Sequence, residues 1–305
     1  MTGQALNSAL ARGVRPASLS ELAAIWQTDV VAIDLAGMAG FAATPSIGNK
    51  LRGALGQVLL ESASDAVRDR RPCTWPRTST AEIFFGTRPT IRLGDHSSEI
   101  AKPYVLEALV AKDGALRVRL AVFGAARERT DAVADALVAA MRQSVKWREL
   151  ARDGSLFVPK SVEPVKVIVF RDQALVPLTC PTSKLKLVFL TPIDAERGNV
   201  LTSPTLILER IVRRTALMAP WYGLSLAEEY DTLIEAARAV AIEDVQMTSV
   251  ECPAQGGHRW ANALSPPVSM ALSCPIEQIQ AALLIGEVIH VGRGASLGLG
   301  RYHIV

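Results

Sequence analysis

The residues of this 305-residue chain best suited to chemistry are a glycine-rich tail, several groups of arginines and four histidines. Near the C-terminus, Gly292, Gly294, Gly298 and Gly300 fall within nine residues, with Arg293 among them, Arg301 directly after them and His290 and His303 on either side. Glycine adopts positive φ without strain and lets another backbone come close, so such a run can offer N–H groups to phosphate oxygens. A merely tight connection between a helix and a last strand would use the same glycines. The run does not suit a dinucleotide or P-loop site, because those follow a strand and open a helix, whereas this one precedes a terminal strand. Arginine is concentrated at Arg68, Arg70, Arg71 and Arg77 and again at Arg210, Arg213 and Arg214. A guanidinium is permanently charged and matches phosphate geometry with paired donors.

The bulk numbers bound what else the chain can be. A net charge of +3 and a pI near 8.7 permit nucleic-acid binding without demanding it, so the clustering of arginine carries more weight than the total. Cys73, Cys180, Cys252 and Cys274 are too scattered for a zinc pair or a disulfide framework, and no metal or other cofactor is expected. The most apolar stretch, residues 281–291, is interrupted by Glu287 and falls short of the roughly 18 residues of a membrane span. The first basic residue is Arg12, so no secretory leader is visible. A cytoplasmic protein with no membrane partner is the expectation.

The elements that must position these residues follow from periodicity. Residues 30–41 read as a strand, and a helix starts near Thr44-Pro45-Ser46, with Leu51, Leu55, Val58 and Leu59 on one face. Residues 104–111 and 116–123 flank Lys112-Asp113-Gly114-Ala115, a hairpin signal. Thr130 can cap a second helix carrying Val133, Leu137, Val138 and Met141, with a closing strand after Gln143. Four prolines between 154 and 181 surround one apolar strand, 165–170, and place the junction there. The order then begins again: a strand at 185–190, a helix at 204–218, an inserted helix at 227–238, strands at 240–250 and 268–273, a helix opened by Pro275 at its first position, and a last strand at 301–305. The predicted fold class is α+β, two ferredoxin-like β-α-β-β-α-β domains in tandem with an inserted helical segment: residues 1–155, a linker at 156–183, and residues 184–305 with the glycine loop.

The tail His290-Val-Gly-Arg-Gly-Ala-Ser-Leu-Gly-Leu-Gly-Arg-Tyr-His-Ile resembles the glycine-rich loop of the CRISPR-associated RAMP superfamily, in particular the endoribonucleases that process precursor CRISPR RNA. Lys50-Leu51-Arg52-Gly53-Ala54-Leu55-Gly56 resembles that family's first-helix motif. Phe123-Gly124 sits where members carry a strand-end pair, and residues 204–222, with Trp221-Tyr222-Gly223, resemble the helix before its C-terminal segment. Many relatives carry a cysteine group after the first helix, whereas only Cys73 stands there in this chain. The inserted helix and the arginine-rich segment point to a divergent subgroup, that of type IV CRISPR systems.

The resemblance implies RAMP (RRM-like) domains that bind CRISPR repeat RNA as a stem-loop, retain mature guide RNA and work with other subunits of an effector complex. It also implies metal-independent cleavage, in which the ribose 2′-hydroxyl attacks the adjacent phosphate. Proton transfer then suits His258, in Gln255-Gly256-Gly257-His258-Arg259-Trp260, and stabilisation of the phosphate suits Arg210, Arg214 and Arg238. An ion pair with Glu209, or a charge reaching past an apolar face to solvent, would equally explain those arginines. RNA contacts are expected from Lys50 and Arg52 at the first helix's start, from Arg68, Arg71 and Trp75 as a clamp of charge and stacking, from Arg213 and Arg259, and from Gly292, Arg293, Gly294, Gly298, Gly300 and Arg301. His96, with a carboxylate beside it but no basic residue nearer than Arg92, reads as a surface histidine. The competing function is a non-cleaving RAMP subunit that coats guide RNA.

Overall fold

The computed structural model describes residues 2–38, 45–73, 75–110, 115–143, 145, 149–150, 156–157, 162–176, 184–194, 203–253, 259–273 and 275–305. Its chain divides into two units that interleave along the sequence. The first comprises Met1–Asn7, Thr28–Thr87 and Pro103–Gln173, and the second Ser8–Gln27, Arg88–Lys102 and Ala174–Val305.

In the first unit, β1 (Thr28–Ala36) alternates Val31, Ile33 and Leu35 toward the core and is followed by α1 (Pro45–Glu61), β2 (Tyr104–Val110), β3 (Leu116–Phe123), α2 (Thr130–Gln143) and β4 (Glu163–Gln173). The sheet is antiparallel and ordered β2-β3-β1-β4. Leu51, Leu55 and Leu59 of α1, and Val133, Leu137 and Met141 of α2, are buried at the three- and four-residue spacing read from the sequence. The expected hairpin of β2 and β3 forms, with Val110 opposite Leu116 and Tyr104 opposite Val122, while residues 111–114 of its turn lie outside the described residues. The closing strand is β4, so the segment 156–183 expected to be linker supplies an edge of this sheet. Thr130 opens α2, but its hydroxyl lies within hydrogen-bond distance of Asp29 Oδ2 (2.9 Å) and Arg127 O (2.8 Å), its one proton shared between these acceptors, instead of capping the helix.

The second unit repeats the order with β5 (Lys184–Phe189), α3 (Thr205–Met218), α4 (Tyr230–Ala239), β6 (Ala241–Pro253), β7 (Arg259–Ser273), α5 (Gln280–Ile289) and β8 (Tyr302–Ile304). Its sheet runs β6-β7-β5-β8 and is likewise antiparallel, with Ile193–Asp194 added along β7. Each sheet thus places its first and third strands side by side in the middle, an α+β arrangement consistent with ferredoxin-like domains. Pro275 does not begin α5. Ile276 and Ile279 turn inward and are buried, Ile279 N donates to Ile276 O (3.0 Å), and the helix starts at Gln280.

Two excursions complete the second unit. Arg15–Pro16 pairs with Leu224–Ser225, and Trp26 stacks on Tyr222 with centroids 4.6 Å apart. A hairpin, Thr90–Leu93 with His96–Glu99, lies against α3. It is tied down just beyond its end, where Ala101 N donates to Leu217 O (3.1 Å) and Trp221 Nε1 to Ala101 O (2.8 Å). No described helix is long and apolar enough to cross a membrane.

Candidate active site

Helix α3 turns Leu206, Glu209, Arg210 and Arg213 to one side at helical spacing, and α4 brings Tyr230, Asp231, Ile234 and Arg238 opposite them. The hairpin closes the end with Leu93, Asp95 and His96, and the three together enclose a cleft of about 320 Å³. All of it lies within the second unit. Arg238 Nε donates to Glu209 Oε1 (2.8 Å) and Nη2 to Oε2 (3.4 Å), so one arginine bridges the two helices. That carboxylate also holds the Arg238 guanidinium above its ordinary pKa. Arg213 Nη2 donates to Ser98 Oγ, fastening the hairpin to α3. Burial raises the Tyr230 phenol above its usual value, with Arg213 pulling it back and Glu209 pushing it up, so the phenol keeps its proton near neutrality.

Chemically, the cleft combines cations that can neutralise a phosphate, a phenol that can donate a hydrogen bond, and an imidazole whose ring nitrogens can donate or accept one. Of its carboxylates, Glu209 sets Arg238 in place, and those of Asp95 and Asp231 oppose an incoming anion.

The structure brings together three of the arginines singled out from the sequence, Arg210, Arg213 and Arg238, and separates the fourth. Arg214 is one residue further round α3 and faces α5, where its Nε donates to Ile289 O (2.9 Å) at the helix end. Its buried Nη2 has no hydrogen-bond partner among the described residues, and burial pulls the guanidinium pKa down to about 10. A cation against the negative end of a helix is a structural device. His258 lies outside the described residues. Arg259 opens β7 opposite Pro253, and its side chain is also outside the described set. Sequence alone reads His96 as a surface histidine and Tyr230 as a member of an apolar helix face. Only the tertiary fold puts arginines from more than a hundred residues away beside His96, and it turns Tyr230 toward the same cleft.

The glycine loop divides into a buried and an open half. Gly300 has φ 66° and donates its N–H to Pro192 O (2.8 Å), while Gly298 O accepts from Thr191 Oγ1 (2.9 Å). Both glycines are buried, and a Cβ on Gly300 would collide with the Val291 carbonyl. The N–H groups of Leu297, Gly298 and Leu299 bond back within the loop. Gly292 and Gly294, with φ of 85° and 77°, carry exposed Arg293 between them on the open side. The backbone reason for the glycines is therefore concrete at Gly298 and Gly300, and the half reachable by a phosphate is Gly292 to Gly294.

In the first unit, α1 begins at Pro45, so Lys50 and Arg52 lie beyond its first turn and outside the reach of its N-terminal dipole. Arg52 Nε donates to Tyr104 Oη (3.3 Å) and its guanidinium lies 5.5 Å from the Phe85 ring centroid. Arg68 closes the other end of α1, donating from Nε to Leu60 O (3.0 Å) and from Nη2 to Glu61 O (2.7 Å). Arg71 pairs with Asp69 (2.9 Å), and Trp75 is 43% exposed in the same loop. Arg301 is half-buried directly before β8.

No protein-family model matches the sequence, and no curated protein does. Among solved structures, the chain is similar to a Cas6 of Thermus thermophilus over 92% of its own length and 99% of that chain, at 15% identity and a TM-score of 0.48. It is similar to a chain of a partial Cas6-RT-Cas1–Cas2 complex at 14% identity and a TM-score of 0.46, covering 92% of this chain but only 46% of that one. The protein of a Cas6-related gene from Pyrococcus furiosus is similar over 92% and 98% of the two chains, at 10% identity and a TM-score of 0.38. These three solved structures are of Cas6 or Cas6-related proteins.

Proposed function

We propose that this chain is an endoribonuclease of the CRISPR RAMP superfamily. It binds repeat RNA through two tandem ferredoxin-like RAMP domains and cuts precursor CRISPR RNA without a metal to give guide units. The subgroup in this reading is that of type IV CRISPR systems, with the inserted helix α4 and the arginine-rich segment as its support. The observation that carries the proposal is the cleft in which Arg210, Arg213 and Arg238 face one another beside His96 and Tyr230. The glycine tail between the last helix and the last strand of the same unit supports it.

Cleavage in this reading needs the 2′-oxygen, the phosphorus and the leaving 5′-oxygen brought into line. The new 2′-O–P bond forms as the P–O5′ bond breaks, leaving a 2′,3′-cyclic phosphate and a 5′-hydroxyl. Arg210 and Arg213 grip the non-bridging oxygens, where charge accumulates, and Arg238 adds its charge by exchanging Glu209 for phosphate. Arg214 holds α3 against the end of α5 so that the face carrying Arg210 and Arg213 is fixed. His258, beside Arg259, is the proton-transfer candidate that rests on the sequence alone. Arg293, Gly292 and Gly294 take the RNA backbone, and Arg71 and Trp75 an unpaired base and its phosphate. The partners are repeat RNA, mature guide RNA and the subunits of an effector complex, and the setting is the cytoplasm.

Incubating the purified protein with its cognate repeat RNA in EDTA tests this. One cut ending in a 2′,3′-cyclic phosphate, abolished by a single 2′-deoxy substitution at the cut site, is expected. Arg210→Ala is expected to slow it by about a hundredfold, the scale of losing one preorganised donor to a developing anion. Binding without product would establish the non-cleaving subunit instead.

A further inference from the structure

Resting on the reading above, we infer that His96 is the general acid of the cleft, delivering a proton to the 5′-oxygen that leaves. An alkoxide is a poor leaving group near neutral pH, so breaking the P–O5′ bond calls for a proton in the same step. The cleft contains few groups able to give one. Its arginines hold their protons too tightly, and Glu209 strengthens that hold at Arg238. Tyr230 is held protonated by its burial. A carboxylate near neutrality has none to give. Imidazole is the side chain that exchanges a proton in this range, and His96 is the histidine among the cleft's lining residues.

The hairpin is built to keep His96 there. Arg213 from α3 reaches Ser98, two residues beyond the histidine. On the other side Gly94, with φ 54°, lies so close to the Asp231 carboxylate at the start of α4 that a Cβ would collide with it. The hairpin's far end is fixed where Arg88 N donates to Glu99 Oε1 (3.1 Å) and Ile100 N to Pro89 O (3.1 Å). His96 is thus an exposed side chain at the start of the hairpin's second strand, which Arg213 fastens to α3, and it lines the cleft that the arginines share. In the reaction the 2′-hydroxyl proton passes to His258, the candidate named above, or to water, and a ring proton of His96 passes to O5′. The imidazole is then recharged from water.

The test compares His96→Ala and His96→Gln with the unaltered protein under single-turnover conditions in EDTA. Each is given two repeat RNAs, one natural and one with sulfur in place of the bridging 5′-oxygen, which leaves without protonation. Both variants are expected to cut the natural RNA at least about a hundredfold more slowly, to cut the sulfur-bridged RNA within about threefold of the unaltered protein, and to bind either RNA unchanged. Full activity of His96→Ala on the natural RNA would overturn the assignment. An equal loss on both substrates would also overturn it, because it would place His96 in binding or folding. If the unaltered protein cuts neither RNA, the nuclease reading itself falls and the assignment with it.

Discussion

Asp29 shows how far a residue's role departs from its type. Its carboxylate is 1% exposed at the start of β1. It accepts from Arg127 Nε (2.9 Å), Arg171 Nη1 (2.8 Å), Thr130 Oγ1 (2.9 Å) and the Asp172 N–H (3.1 Å), which gathers β1, α2 and β4 around one charge. Burial pushes its pKa up, but these four donors together outweigh burial and hold it below the ordinary value. A depressed folded-state pKa means that the carboxylate's contribution to stability is complete above its unfolded value. It is lost as pH falls through the folded one. Asp29→Asn leaves two arginines facing a neutral amide and should cost about 3 kcal/mol in urea unfolding at pH 7. The gap between the two proteins should narrow steadily below about pH 4, near the unfolded aspartate value; a gap independent of pH would refute the account. Residue types were legible from the sequence where function is concerned, but their partners were not. Arg213 and Arg214 are neighbours in the chain, yet one faces the cleft and the other a helix end, and no local signal tells them apart.

At the scale of elements, periodicity located α1, α2 and α3 and the hairpin of β2 and β3, because each has an apolar face that only one period satisfies. It misjudged the start of α5, where two buried isoleucines win over the preference of proline for a first helical position. It also gave β4 to a linker, since flanking prolines resemble a junction while the strand's place is fixed only by pairing with β1. Two glycine substitutions separate what a motif needs for folding from what it needs for RNA. Gly300→Ala meets both a positive φ and the Val291 carbonyl, so a loss of about 2 kcal/mol or more is expected in thermal unfolding. Gly53→Ala, inside α1 with nothing within 4 Å of the new methyl, should stabilise by about 0.5–1 kcal/mol. If Gly53→Ala gains that stability and keeps its affinity for repeat RNA, the helix motif is served by Lys50 and Arg52 without the glycine.

The interleaving of the two units is a property of the whole molecule that no single segment announces. A linear reading divides the chain once, near residues 156–183, because composition changes there and the strand–helix order restarts. Residues 8–27 and 88–102 nevertheless belong to the second unit. They are short, with no core of their own, and what assigns them is tertiary: Arg15 N donates to Gly223 O (3.0 Å), Leu19 N to Glu229 Oε2 (2.6 Å), and Ala101 O receives the indole N–H of Trp221. A fragment of residues 184–305 would keep the whole sheet and its helices, yet it would leave Trp221 2% exposed in the full chain but without its acceptor, Tyr222 without Trp26, and α3 without the hairpin over its arginines. An unsatisfied buried donor costs about 1–3 kcal/mol, and an uncovered aromatic of Trp size about as much again, against a total stability of about 5–15 kcal/mol. The fragment is therefore expected to unfold without a sharp calorimetric transition. Supplying residues 8–27 and 88–102 as synthetic peptides should restore one. A fragment that melts cooperatively by itself would show that the chain divides where its sequence suggests, with the two excursions merely resting on a finished domain.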